Sequence, residues 1–122
     1  MTEKQLQKQV EDYLRLKRVP YLHCTTFMRV RTYGKCVRCQ VAISGWKNVA
    51  IPGMTGWPDL IIFFKRWCVF IELKHGKNRL TAEQAGKKAE LESQGYLWYT
   101  MRTWDEAKEK IDYFLQAEGK HV

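Results

Sequence analysis

The chain has 122 residues, enough for one hydrophobic core and too few for two. A hydrophobic fraction of 45% and an aromatic fraction of 13% exclude a disordered tail or a low-complexity linker. Twenty-one Lys and Arg against thirteen Asp and Glu give a formal charge of +8, which points to a polyanionic partner but to no particular chemistry.

Thr2 and Gln5 form a capping-box pattern that predicts a helix from about Glu3. Leu6, Val10, Tyr13, Leu14 and Lys17 fall on one face of it, and Pro20 bounds it, so its end is expected near Lys17 or Arg18. Glu3 lies in the middle of that apolar arc and Gln7 at its edge. A carboxylate on a core face is an anomaly, unless the first turn is simply exposed and Glu3 serves the helix dipole. The polar start, Met1 to Gln9, does not read as a signal peptide, and the run Leu60 to Phe64 is too short to span a bilayer. A cytoplasmic protein is expected (the host cytoplasm if phage-encoded), so the four cysteines are thiols or metal ligands rather than disulfides.

Residues 21 to 50 read as β-structure. Arg29 to Tyr33 alternates, Gly34-Lys35 offers a turn, and Val37 to Ile43 runs back. Ser44-Gly45 and Pro52-Gly53 are further turn signals, and Gly53 to Trp57 is a loop. The charge excess lies in the longer segment 13 to 58. No acid occurs between Asp12 and Asp59, while eight bases do; the other thirteen bases match the thirteen acids.

Asp59 to Phe64 and Cys68 to Lys74 read as two core strands, and the residues between them are too few for anything but a hairpin. Thr81 and Gln84 form a second capping box, opening a helix that Gly95 closes. Tyr96 to Met101 is a strand expected parallel to Cys68–Lys74. Thr103 and Glu106 cap a last helix with apolar positions at Ala107, Ile111, Phe114 and Leu115. The order α-β-β-β-β-α-β-α predicts an α/β fold.

Glu72 and Lys74 leave the same face of their strand. If Lys65-Arg66 is the hairpin loop, Asp59 stands opposite Glu72 with Cβ atoms about 5 Å apart. A three-residue loop would shift that register by one. Two carboxylates this close repel unless a cation lies between them, and hard oxygen ligands suit Mg²⁺ or Mn²⁺. A cross-strand ion pair at a sheet end is the plainer alternative.

The combination Gly56-Trp-Pro-Asp-Leu-Ile61, twelve intervening residues, Glu72-Leu-Lys74 and then Leu80-Thr-Ala-Glu-Gln84 resembles the VRR-NUC family of the PD-(D/E)xK nuclease superfamily. The resemblance runs from Glu3 to about Leu115. It implies a restriction-endonuclease-like mixed sheet flanked by helices, and metal-dependent cleavage of DNA, often branched, flapped or Holliday-junction DNA. Stand-alone members are commonly phage proteins. Carried onto this sequence, it implies Asp59 and Glu72 as ligands of Mg²⁺ or Mn²⁺, with Glu3 and the Leu73 carbonyl beside them. Lys74 matches the catalytic lysine, Glu3 and Gln7 the first-helix acid/Gln pair, and Gln84 the helix-start Gln.

The sequence departs from the minimal family domain in a basic hairpin insertion at about residues 24–50. Arg29, Arg31, Lys35, Arg38 and Lys47, interleaved with aromatics, suit a DNA backbone contact or a stacking platform, and Lys77 and Arg79 would hold phosphates near the metal. Cys36-Val-Arg-Cys39 is half a Zn²⁺ site, whose other half would come from His23, Cys24, Cys68 or a second subunit. Cys68 itself reads as a buried strand residue. Cleavage of both strands of a junction requires two sites, hence an expected homodimer. The rival reading is a non-catalytic nucleic-acid-binding module, and nothing in the sequence separates DNA from RNA.

Overall fold

Thr2 caps α1 (Glu3–Leu16) from both sides: its side chain accepts the Gln5 N–H, and the Gln5 side chain accepts the Thr2 N–H. The far end closes with Arg18 in the left-handed region, φ 58°, where the Val19 N–H reaches back to the Leu14 carbonyl. These contacts come from a computed structural model, which describes residues 1–25 and 27–119. The chain divides into two bodies, Met1–Cys24 with Gly56–Val122, and Thr25–Thr55.

The first body is built on a mixed sheet in the order β1-β4-β5-β6. Strand β1 (Tyr21–His23) runs antiparallel to β4 (Leu60–Phe63), and β4 antiparallel to β5 (Cys68–Leu73). The α2 helix (Ala82–Ser93) then brings β6 (Leu97–Met101) back parallel to β5. Gly95, at φ 89°, ends α2 as expected, with Tyr96 N–H bonded to the Leu91 carbonyl. The last helix, α3 (Trp104–Ala117), starts on Thr103, whose side chain accepts the Glu106 N–H.

Alternation sorts the strands onto two faces. Leu60, Ile62, Val69, Ile71 and Leu73 join Leu6, Val10 and Leu14 of α1 and Ile111, Phe114 and Leu115 of α3 in the main core. Each such side chain contributes about 1.5–3 kcal/mol through burial. The opposite face carries a smaller cluster, Phe70 and Trp98 under Leu91 of α2. Among the described residues, no helix is long and apolar enough to cross a membrane.

The second body is a two-stranded hairpin, β2 (Phe27–Lys35) with β3 (Ala42–Ala50). Three expectations need correction here. Gly34 and Lys35 do not turn the chain; they stay in β2, opposite Ile43 and Ala42. Ser44 and Gly45 likewise lie inside β3, paired with Tyr33 and Thr32. The reversal falls at residues 36–41, where Gln40 takes φ 59° and its N–H binds the Cys36 carbonyl. Nine consecutive cross-strand pairs outweigh the turn preference of two glycines. Finally, residues 21–23 form a strand of their own in the other body, one more than the expected order contained.

Candidate active site

The register of β4 and β5 decides the site. Leu60 pairs with Ile71 and Phe63 with Cys68, and Phe64 N–H binds the Trp67 carbonyl, so the loop is Lys65-Arg66. That register brings Asp59 to the end of β5: its Oδ2 accepts the Leu73 N–H at 2.8 Å. The Glu72 carboxylate leaves the same sheet face and is only 3% exposed.

Four further groups converge there. Gln84, the third residue of α2, donates its side-chain N–H to Glu72 Oε1 at 2.9 Å while also serving the helix cap. The Lys74 ammonium lies 3.7 Å from the same oxygen, and its side chain is 11% exposed. Glu3 Oε1 accepts the His75 N–H at 3.0 Å, which holds the first turn of α1 against the residue following Lys74. Cys24 N–H binds the Asp59 carbonyl at 2.8 Å.

The electrostatics follow from burial. Burial first, and then the neighbouring Asp59 charge, push the Glu72 carboxyl up to about 8. Burial raises Asp59 too, partly offset by its hydrogen bond from Leu73. Burial and then the charges of Asp59 and Glu72 lift the Cys24 thiol to about 11. Glu72 Oε2 is buried and no N–H or O–H donor reaches it. Such an atom is met either by a proton shared with Asp59 or by a cation. Two hard carboxylates, one with an open lone pair, fit a divalent ion with oxygen preference.

Of the residues singled out in the sequence, the structure brings Asp59, Glu72, Lys74, Gln84 and Glu3 together. Gln7 is turned differently, toward Glu11 Oε2 at 3.1 Å and His23 Nε2 at 3.0 Å. Leu73 offers its N–H to Asp59 and its side chain to the core. Lys77 and Arg79 are exposed in the loop after Lys74.

In the hairpin, Arg29, Arg31 and Lys35 share one face of β2, whereas Lys47, opposite Val30, lies on the other. Arg38 is exposed in the turn. Cys36 and Cys39 flank that turn, and hydrogen bonds from Cys39 and the Arg38 backbone hold the Cys36 thiol below its usual range. Among the described residues, no three His, Cys, Asp or Glu side chains gather as a metal group. Cys68 is half-buried rather than buried.

Two residues were missed in their roles. Gly56, at φ 86°, sits so close to α2 that a Cβ would lie 2.5 Å from the Glu83 carbonyl oxygen. Its lack of a side chain lets the Asp59 loop approach the helix that carries Gln84. Arg102 follows β6 and donates to the carbonyls of Gly76 at 3.0 Å and Asn78 at 2.5 Å, pinning the loop that carries Lys77 and Arg79. Parallel pairing of β5 with β6 is the signal that could have found it, since it puts Met101 beside Leu73.

A solved structure described as a VRR_NUC domain superposes on this chain with a TM-score of 0.62. The match covers 92% of this chain and 97% of that one, at 13% sequence identity. The chain has the VRR-NUC fold. No family model and no curated protein matches the sequence. In this VRR-NUC fold, the paired carboxylates stand where one antiparallel hairpin, one helix start and the first turn of α1 meet.

Proposed function

We propose that this protein is a Mg²⁺- or Mn²⁺-dependent DNA endonuclease that hydrolyses phosphodiester bonds in branched or flapped DNA. One observation carries the reading: a buried Glu72 oxygen with no donor, beside a second carboxylate and an ammonium, within a VRR-NUC fold. In the metal-free protein a proton shared with Asp59 meets that oxygen, and a divalent cation would take the proton's place between the two carboxylates.

Asp59, Glu72 and the Leu73 carbonyl are the groups that would hold the ion; Glu3, whose carboxylate accepts the His75 N–H and does not gather with the pair as a metal group, would have to turn to join them. Bound there, a divalent cation supplies polarisation of a phosphoryl oxygen and a more acidic water. The chain's own residues do the rest. Lys74 orients the attacking water or takes its proton, and its charge offsets the negative charge that builds on the phosphate. Gln84 holds the Glu72 carboxylate in one rotamer through its hydrogen bond to Oε1. Gln7, next to Glu11 and His23, supports α1 behind Glu3. Lys77 and Arg79 bind flanking phosphates, with Arg102 as the positioning residue for their loop. Arg29, Arg31, Lys35, Arg38 and Lys47 give the hairpin its grip on DNA.

The test is cleavage of branched and linear DNA with Mg²⁺, Mn²⁺ or EDTA, using wild type and Lys74→Ala. Metal-dependent cutting that Lys74→Ala abolishes is expected. Absence of cutting on every substrate would leave a non-catalytic binding module. Paired nicks in opposite strands need two such sites, which a homodimer supplies. A monomer in sedimentation that still makes paired nicks in one binding event would refute the dimer.

A further inference from the structure

The hairpin violates the usual placement of apolar side chains. Phe27, Met28, Tyr33, Val37, Val41, Ile43 and Trp46 are all exposed large hydrophobics, within a single two-stranded ribbon. An isolated ribbon of this kind is marginal on its own, and a wet aromatic surface without a partner is costly.

The two faces of the ribbon differ. Antiparallel register places Arg29, Arg31 and Tyr33 of β2 on the same face as Trp46 of β3, with Arg31 directly opposite Trp46. The Arg29 guanidinium lies 5.1 Å from the Trp46 ring centre and that of Arg31 5.6 Å, while Arg31 is also 5.8 Å from the Tyr33 ring. Trp46 nevertheless remains 56% exposed and Tyr33 80% exposed. The cations therefore orient the rings without covering them. The other face carries half-buried Val30, Thr32, Gly45 and Val49 together with exposed Met28, Ile43 and Lys47, and neither Trp nor Tyr. No acid occurs in residues 25–55, so nothing on this body repels an anion.

We infer that the Arg29–Arg31–Tyr33–Trp46 face is a stacking platform for an unpaired DNA strand, and that it selects substrates with single-stranded bases. The reading rests on the proposed DNA cleavage for its choice of DNA over other polyanions. Duplex backbone binding would use the guanidiniums alone, because bases in a duplex present their faces to one another. Exposed rings beside guanidiniums meet both needs of a single strand: π-faces for the bases and cations for the phosphates. Trp46 and Tyr33 are then specificity-determining residues, remote in role from the chemistry of the carboxylates.

The test is binding in EDTA, so that it reads independently of cleavage. Fluorescein-labelled oligo-dT, a blunt duplex of equal length and polyglutamate are titrated into wild type, Trp46→Ala, Trp46→Phe and Arg31→Ala. Trp46→Ala should weaken oligo-dT binding about tenfold or more and duplex binding less than about twofold. Trp46→Phe should restore most of the loss. The salt slope should stay unchanged in Trp46→Ala and become shallower in Arg31→Ala. Equal loss on single strand and duplex, no loss on either, or polyglutamate binding as tight as oligo-dT overturns the proposal. If the wild type cuts DNA with Mg²⁺ while Trp46→Ala binds normally, only this inference fails. If it never cuts but shows the stacking signature, only the nuclease reading fails.

Discussion

The two bodies of this chain break the rule of burial in opposite directions. The sheet body takes charge out of water: Glu72 is 3% exposed, with Asp59 beside it and one oxygen bare. The hairpin puts aromatic rings into water, with Trp46 and Tyr33 flanked by guanidiniums. Each departure costs folding free energy that the rest of its body must offset. In the sheet body a packed core is there to do so, and the result is a rigid, preorganised cluster. The hairpin has backbone pairing and cross-strand contacts such as Arg31 with Trp46, and the result is an open surface. One arrangement suits a small hard ligand held at fixed distance. The other suits a long, adaptable polymer.

The largest expected effect lies in the buried cluster. Lys74→Ala and Glu72→Gln should each lower the metal-dependent cleavage rate by about a hundredfold or more. Glu72→Gln should at the same time raise the metal-free melting temperature at pH 8, because it removes a charge that burial disfavours. If both variants keep wild-type rates, the cluster is structural and the contrast between the bodies loses its functional meaning.

Backbone geometry comes next. Gly56→Ala forces a Cβ onto the Glu83 carbonyl in a left-handed conformation, and should destabilise the protein by about 2 kcal/mol or more in urea unfolding. By comparison a Cβ added at Gly53, also left-handed at φ 80°, would meet no atom within 4 Å, so Gly53→Ala should cost about 1 kcal/mol.

The pH response separates the bodies further. The Glu72 carboxyl is raised in the folded state from 4.5 to about 8, so the folded chain holds a proton that the unfolded chain releases. Stability of the metal-free protein is therefore full below about pH 4.5 as far as this group is concerned, and is lost as pH rises toward 8. Thermal melts in EDTA between pH 5 and pH 8 at roughly constant ionic strength should show the decline, and Glu72→Gln should flatten it. A wild-type melting temperature that rises across that window contradicts the assignment. Added Mg²⁺ should oppose the decline, since it binds the deprotonated pair.

Smaller effects mark the periphery. Arg102→Ala frees the Gly76 and Asn78 carbonyls, and should raise KM for DNA about tenfold while leaving kcat within about twofold, because the loop positions phosphates rather than the reacting water. The smallest change should come from Tyr33→Ser, within about 0.5 kcal/mol of wild type in unfolding, whereas Leu14→Ala in the core should cost about 2–5 kcal/mol. A large loss from Tyr33→Ser would mean that the hairpin ring packs against something, and the proposed open platform would be wrong.

Much of this is legible along the chain. Capping boxes at Thr2 and Thr81, the Gly95 stop and the Pro20 boundary are local chemistry, and each fell where the sequence put it. The sequence left two loop lengths open between β4 and β5; the two-residue loop brings Asp59 and Glu72 together, and a one-residue slip would turn Leu60 and Ile62 out of the core. The hairpin was less legible. Gly34 and Gly45 look like turn residues locally, yet cross-strand pairing holds both in strands, and the side on which Lys47 falls depends on that register.

By itself, then, the sequence determined the three helices, the core strands β4, β5 and β6, and the concentration of positive charge between residues 13 and 58. Only the tertiary structure decided which atoms carry the consequence. Whether an oxygen is left bare, as Glu72 Oε2 is, depends on where the donors go: Gln84 from α2 and Lys74 both approach Oε1, and the Leu73 N–H goes to Asp59. Whether Gly56 is free to change depends on the approach of Glu83. Periodicity and capping act over a few residues and can be read along the chain; desolvation and steric contact depend on everything that packs around an atom, and can be read only in three dimensions.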